Sequence, residues 1–139
     1  MSDARHIAET AADQPPFSKL LGIRILAATK DEVVAEMPVT PGVGNRNGVL
    51  HGGAVMGFAD NIGGTAAMMN LPEGVTTTTI ESKTNFLRAV KIGDTLRGTA
   101  IPLHRGGTTQ VWQTTMTRGD GKVVAIVTQT QLTLKWDLE

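Results

Sequence analysis

Asn45–Met69 reads NRNGVLHGGAVMGFADNIGGTAAMM, a stretch that holds six glycines although its apolar residues recur at helical spacing. Glycine costs a helix interior roughly 1 kcal/mol relative to alanine, so Gly57, Gly63 and Gly64 set on the order of 3 kcal/mol against a helix here. Close packing must offset that cost. A helix lined with Gly52, Gly53, Gly57, Gly63, Gly64, Ala66 and Ala67 has little side-chain bulk, so its backbone can approach a curved sheet or a second copy of itself. From Gly52 to Met69 the run is too long for one strand, and Pro72 and Gly74 stop it. One acid, Asp60, sits among the glycines. If this helix is buried, Asp60 is no ordinary solvated residue: it is paired with an arginine, caps a neighbouring strand, or serves a function.

The flanks supply the rest of the fold. PPFSKLLGI opens with Pro15 and Pro16 and reads as a short helix. IRILAA and EVVAEMPVT read as strands joined by the polar TKDE, and PGVGNRNGV is a loop by composition. After the glycine-rich helix come TTTTIESKTNFL, DTLRGTAIPLHR, TTQVWQTTMTR and KVVAIVTQTQLTLKW, four strand-like runs. The last two flank GDG, a strong hairpin signal. In the final run Val124, Ile126, Leu132 and Leu134 share one face, and Gln129 and Gln131 take the other. Two strands, one long helix and four strands argue for α+β, an antiparallel sheet with a single helix on one face. Residues 1–139 make one domain, with 1–14 read as a frayed helix or loose arm.

Composition narrows the function. Lys plus Arg and Asp plus Glu are 13 each, so no basic excess invites a nucleic-acid backbone. The chain has no cysteine, which excludes disulfides, thiolate metal sites and cysteine nucleophiles. No leader and no membrane-spanning run is evident, and a cytoplasmic enzyme or binding domain is the default expectation. GVGNRNG lacks the glycine spacing of a dinucleotide fingerprint. Ser2, Ser18 and Ser82 are the only serines and none lies in a nucleophile elbow. His6, His51 and His104 are scattered, so no metal site is expected.

LHGG stands at the start of the helix, where Gly52 and Gly53 offer backbone N–H groups at the positive end of the helix dipole. That is a place for an anion or a developing oxyanion, or simply a tight turn. The spacing Asn45, then His51-Gly52-Gly53, then Asp60 resembles the pattern of the hotdog-fold acyl-CoA thioesterases, in the phenylacetate-pathway thioesterase-like (PaaI-like) branch. That pattern has Asn or Gln six places before the His of HGG and an acid nine places after it. The likeness extends from PFSKLLGIRI through FLRAVKIGD to TQTQLTL. It departs at Gly64, where one branch carries Ser or Thr four residues after the acid. Thr79 in TTTTIESKTNF fits another branch, with Thr78 and Thr65 as substitutes.

The resemblance implies a curved antiparallel sheet wrapped around the helix, and hydrolysis of an acyl-CoA thioester without a cofactor. The minimal active unit would be a homodimer, with dimers pairing into a tetramer and sites at the interface. In this reading Gly52 polarises the carbonyl, Asp60 is general base or nucleophile, Asn45 orients the water or the thioester, Thr79 holds Asp60 or the water, and His51 fixes the turn. Arg88, Lys91 and Arg105, the last beside Gly106, Gly107 and Thr108, are the cations available to the CoA phosphates. Phe58, Met68 and Met69 would line the acyl pocket, for an aryl or medium-chain group. A hotdog hydratase and a non-catalytic acyl-CoA sensor are the competing readings.

Overall fold

The structure, a computed structural model, describes residues 3–135. Met1, Ser2 and the end of the expected last strand at Trp136 lie outside the described residues. Two short helices, α1 (Asp3–Ala12) and α2 (Pro16–Leu21), precede strands β1 (Arg24–Ala28) and β2 (Val33–Pro38). A 3-10 turn at Pro41–Val43 leads to the long helix α3 (Gly52–Met69). Then follow β3 (Thr76–Phe86), β4 (Thr95–Arg105), β5 (Thr109–Thr117) and β6 (Val123–Leu134).

The six strands form one sheet in the order β1-β2-β4-β5-β6-β3, every neighbouring pair antiparallel. Strand alternation produces its two faces. Gln110, Trp112, Thr114 and Met116 of β5 are buried, while the residues between them are half-buried. Gly121, at φ +83°, closes the β5–β6 hairpin that Asp-Gly announced. The Arg118 guanidinium, and then the Lys122 N–H, hold the Asp120 carboxyl of that turn below the usual carboxylate range.

Helix α3 lies in the hollow of the sheet and packs against β2 through β6. Its buried stripe is Val55, Phe58, Ala59, Ile62, Ala66 and Met69, spaced three or four apart as one helical face requires. Two glycines set the depth. A Cβ on Gly63 would collide with the Gln129 amide, and one on Gly98 of β4 would enter the Phe58 ring. Gly57 instead admits the Phe17 ring of α2, 3.1 Å from where its Cβ would lie. Gly64 faces open space. Of the three interior glycines, Gly63 alone serves the approach of helix to sheet.

Three sequence expectations change. Asp60 is exposed in the single chain, because the buried stripe occupies the opposite side of α3. The glutamine face of β6 is the buried one: Gln129 and Gln131 share it with Ala125 and Val127. Residues 3–12 are not a loose arm. Ile7 and Ala11 of α1 pack on the core, and His6 Nε2 meets the Met68 carbonyl at 3.1 Å. The Gln14 amide also joins Asn61 of α3, whose Nδ2 donates to Gln14 Oε1 at 2.9 Å. Among the described residues no helix is long and apolar enough to cross a membrane.

Candidate active site

Two groups of polar side chains flank α3, one at its N-terminus and one at its middle. The N-terminal group begins with a loop pinned from both sides. Leu50 N–H donates to the Val90 carbonyl at 2.7 Å and His51 N–H to the Val43 carbonyl at 2.9 Å. His51 is the N-cap: its Nδ1 accepts from Gly53 N–H at 2.8 Å, which satisfies one of the first-turn donors. That bond leaves the ring proton of the neutral form on Nε2. Ala54 and Val55 N–H both donate to the His51 carbonyl. The Gly52 N–H carries no hydrogen bond among the described residues, and it stands in the first turn, at the positive end of the helix. The Phe86 ring lies over Gly52, 3.3 Å from where a Cβ would be.

Asn45 stands beside this turn. Its Oδ1 accepts from Asn47 N–H at 2.9 Å and holds the loop, so its Nδ2 is the atom left to reach a ligand. Lys91 is bridged to Val49 on the same side. Arg88 follows Phe86, and its guanidinium donates to the Val123 carbonyl at 2.7 Å.

The second group is built on Asp60. Thr79 Oγ1 donates to Asp60 Oδ1 at 2.7 Å, and Gln131 Nε2 donates to Thr79 Oγ1 at 2.7 Å. Gln131 Oε1 accepts from Thr77 Oγ1 at 3.0 Å. The ladder explains the alignment: Thr79 pairs with Gln131, and the register shifts immediately afterwards, between Thr79 and Glu81. Gln131 is only 1% exposed, whereas Asp60 opens on a cleft of about 650 Å³. Helix α1, through His6 and Glu9, and Asp13 just beyond its end form one wall, and β3 forms the other through Thr76–Thr79. Thr79, one of the expected site residues, thus lies within hydrogen-bond distance of Asp60. Thr65 is committed elsewhere, donating to the Asn61 carbonyl at 2.8 Å. Thr78 lines the cleft without reaching Asp60 by a hydrogen bond.

Other expected site residues are dispersed. Met68 lines the cleft, but Phe58 and Met69 are fully buried in the core and do not. Arg105 lies at the other end of α3. It donates to the Lys30 carbonyl at 3.0 Å and to Asp31 Oδ1 at 2.7 Å, with Asn70 Oδ1 at 3.4 Å. Gly106, Gly107 and Thr108 turn the chain there, closed by the Gly106 N–H on the Thr109 carbonyl at 2.8 Å. Sequence reasoning passed over Gln131, Thr77 and the α1 wall. The signal for Gln131 was its parity with Ala125 and Val127; none marked α1.

Residues 47–125 match the thioesterase superfamily. With more than half of its length matched, the chain belongs to that superfamily. A Vibrio cholerae protein provisionally named an esterase is 35% identical over 106 residues, 76% of this chain and 70% of its own. A solved thioesterase from Haemophilus influenzae superposes with a TM-score of 0.81 at 32% identity, covering 86% of this chain and 82% of that one. The Escherichia coli PaaI protein from the phenylacetic acid degradation operon superposes with a TM-score of 0.85 at 26% identity, covering 95% and 94%. The six-stranded curved sheet around α3 is thus the hotdog fold, and the chain is a hotdog thioesterase.

Proposed function

We propose that the chain hydrolyses the thioester of an aryl- or medium-chain acyl-CoA, at a site shared by two subunits, with no cofactor beyond the CoA of its substrate. The observation that carries the reading is the 2.7 Å bond from Thr79 to Asp60 at the mouth of the cleft. It holds Oδ1 and leaves Oδ2 without a hydrogen bond among the described residues, available to a water. In the general-base route Oδ2 takes a proton from that water as its oxygen adds to the thioester carbon. The carbonyl electron pair moves onto oxygen, which accepts a hydrogen bond from the Gly52 N–H. Collapse expels the CoA thiolate, which takes up the proton held by Asp60. In the covalent route Asp60 itself attacks, expels the thiolate, and water opens the resulting anhydride. Asn45 Nδ2 orients the water or the carbonyl in either case, and His51 preserves the turn.

Gly52 and Asp60 lie eight residues apart on one helix, about 12 Å at 1.5 Å per residue. One chain cannot bring both to a single carbon, so Asp60 of one subunit serves the Gly52 of another in a homodimer. Dimers of this kind would pair into a tetramer. Lys91, near the Gly52 end, and Arg88, whose guanidinium also donates to the Val123 carbonyl, would meet the CoA phosphates; Arg105 is held at the other end of α3 by the Lys30 carbonyl, Asp31 and Asn70.

The test is a panel of acyl-CoAs assayed with a free-thiol reagent, for the wild type and Asp60→Asn. Turnover on at least one acyl-CoA, lowered about 10²- to 10⁴-fold in a folded Asp60→Asn variant, is the expected result for loss of a general base. Undiminished turnover in that variant would remove Asp60 from the chemistry.

A further inference from the structure

We infer that Gln131 is a positioning residue for the reaction, acting through Thr79 on Asp60 and setting the direction of the proton in the Thr79–Asp60 hydrogen bond. The inference rests on the thioesterase reading above and deepens it.

A threonine hydroxyl has one proton and can direct it to one acceptor at a time. Gln131 Nε2 can only donate, and it lies 2.7 Å from Thr79 Oγ1. With that lone pair occupied, the hydroxyl proton goes to the acceptor on the other side, Asp60 Oδ1, also at 2.7 Å. At the far end Thr77 donates to Gln131 Oε1 at 3.0 Å, so all three donors point towards the carboxylate. A flipped amide would present Oε1 to Thr79, draw its proton away, and set the hydroxyl lone pairs against the negative charge of Asp60. The charge itself therefore favours the observed orientation. At 1% exposure Gln131 is sheltered from competing water, and in a low-dielectric setting such a chain strengthens each of its bonds.

The consequence is a carboxylate fixed in rotation, with Oδ1 committed and Oδ2 presented to the cleft. Gln131 lines the same cleft but is linked to Asp60 through the Thr79 hydroxyl. It should govern turnover and leave substrate binding alone. A glutamine that merely fills space between β3 and β6 would behave differently, because its loss would weaken folding and act independently of Thr79.

The experiment is a double-mutant cycle of Gln131→Met and Thr79→Val on an acyl-CoA that the wild type hydrolyses. Gln131→Met keeps the length of the side chain and removes its amide. It is expected to lower kcat about tenfold, the worth of one charge-linked hydrogen bond, with KM within about twofold. In the Thr79→Val background the same change should lower kcat no further, since the group it acts through is gone. Equal losses in both backgrounds, or a loss confined to KM, would overturn the inference. An arm independent of activity uses the wild type: the Gln131 side-chain amide protons should show nuclear Overhauser contacts to the Thr79 methyl rather than to Thr77. Contacts to Thr77 instead would mean the opposite orientation and would also overturn it. Failure of the wild type on every acyl-CoA would sink the thioesterase reading, while the amide orientation is still decided by this arm.

Discussion

Gly63→Ala tests the packing that sets α3 into the sheet. The added methyl would collide with the Cδ, Oε1 and Nε2 atoms of Gln129. Gln129 is fully buried, so its amide has no solvent to swing into. A methyl forced into a filled core costs typically 1–3 kcal/mol, and contact with three atoms at once puts this case near about 3. Against that stands the helix-propensity gain of about 1 kcal/mol for replacing an interior glycine by alanine. The expected net loss is about 2 kcal/mol. Its internal control is Gly64→Ala, where a Cβ meets nothing within 4 Å, so the propensity term acts alone and stability rises by up to about 1 kcal/mol. Urea unfolding of both variants, at one fixed protomer concentration because assembly shifts the midpoint, reads the difference. The truncation Gln129→Ala should relieve the clash in the Gly63→Ala background. Equal stabilisation by the two alanines would refute the claim that Gly63 exists for the approach of helix to sheet.

Four further substitutions separate roles at the site. His51→Ala should cost about 1 kcal/mol in urea unfolding, the usual worth of an N-cap, whereas His51→Asn, which can still cap, should keep stability and kcat within about threefold. A hundredfold drop in kcat for the asparagine variant would instead give His51 the proton. Lys91→Ala should raise KM for acyl-CoA about fivefold at low salt and less at high salt, as an exposed charge contact does. Arg105→Ala should leave KM unchanged, and equal KM effects would place the CoA phosphates at the Arg105 end.

Much of this was legible in the chain because it rested on periodicity and on fixed spacing. Two strands, a helix and four strands followed from where apolar residues recur and where Pro72, Gly74 and Asp120-Gly121 interrupt them. The pairing of Thr79 with Asp60 came from the hotdog resemblance, and the distance agrees. What escaped depended on which side of an element the sheet covers. Asp60 is exposed because the stripe of Phe58, Ile62 and Ala66 faces the sheet, and the same stripe puts Phe58 and Met69 in the core and not in the cleft beside Asp60. Glutamines on a strand look like a solvent face by polarity alone, yet Gln131 lies inside because Ala125 and Val127 share its parity. Arg105 was read from its neighbours in sequence, whereas Asp31 and Asn70, which hold it, come from distant segments.

The central claim, that one site takes Gly52 from one subunit and Asp60 from another, is tested most directly by mixing two disabled chains. Gly52→Pro removes the N–H proposed as oxyanion donor, and the exposed Phe86 ring, 3.3 Å from the new Cβ, needs to shift only a few tenths of an ångström to admit it. Proline is tolerated at the first helical position, and His51, at φ −67° and ψ 135°, already has the conformation that precedes a proline. Its turnover should fall about 10²- to 10³-fold. Asp60→Asn disables the other half. Co-refolded at equal amounts, half of randomly paired dimers are mixed, and each mixed dimer holds one intact site of two. Recovered activity of about one quarter of the wild type is therefore the expected result for a two-fold interface. Mixed dimers verified by mass that recover no activity would place the whole site within one chain and contradict the account.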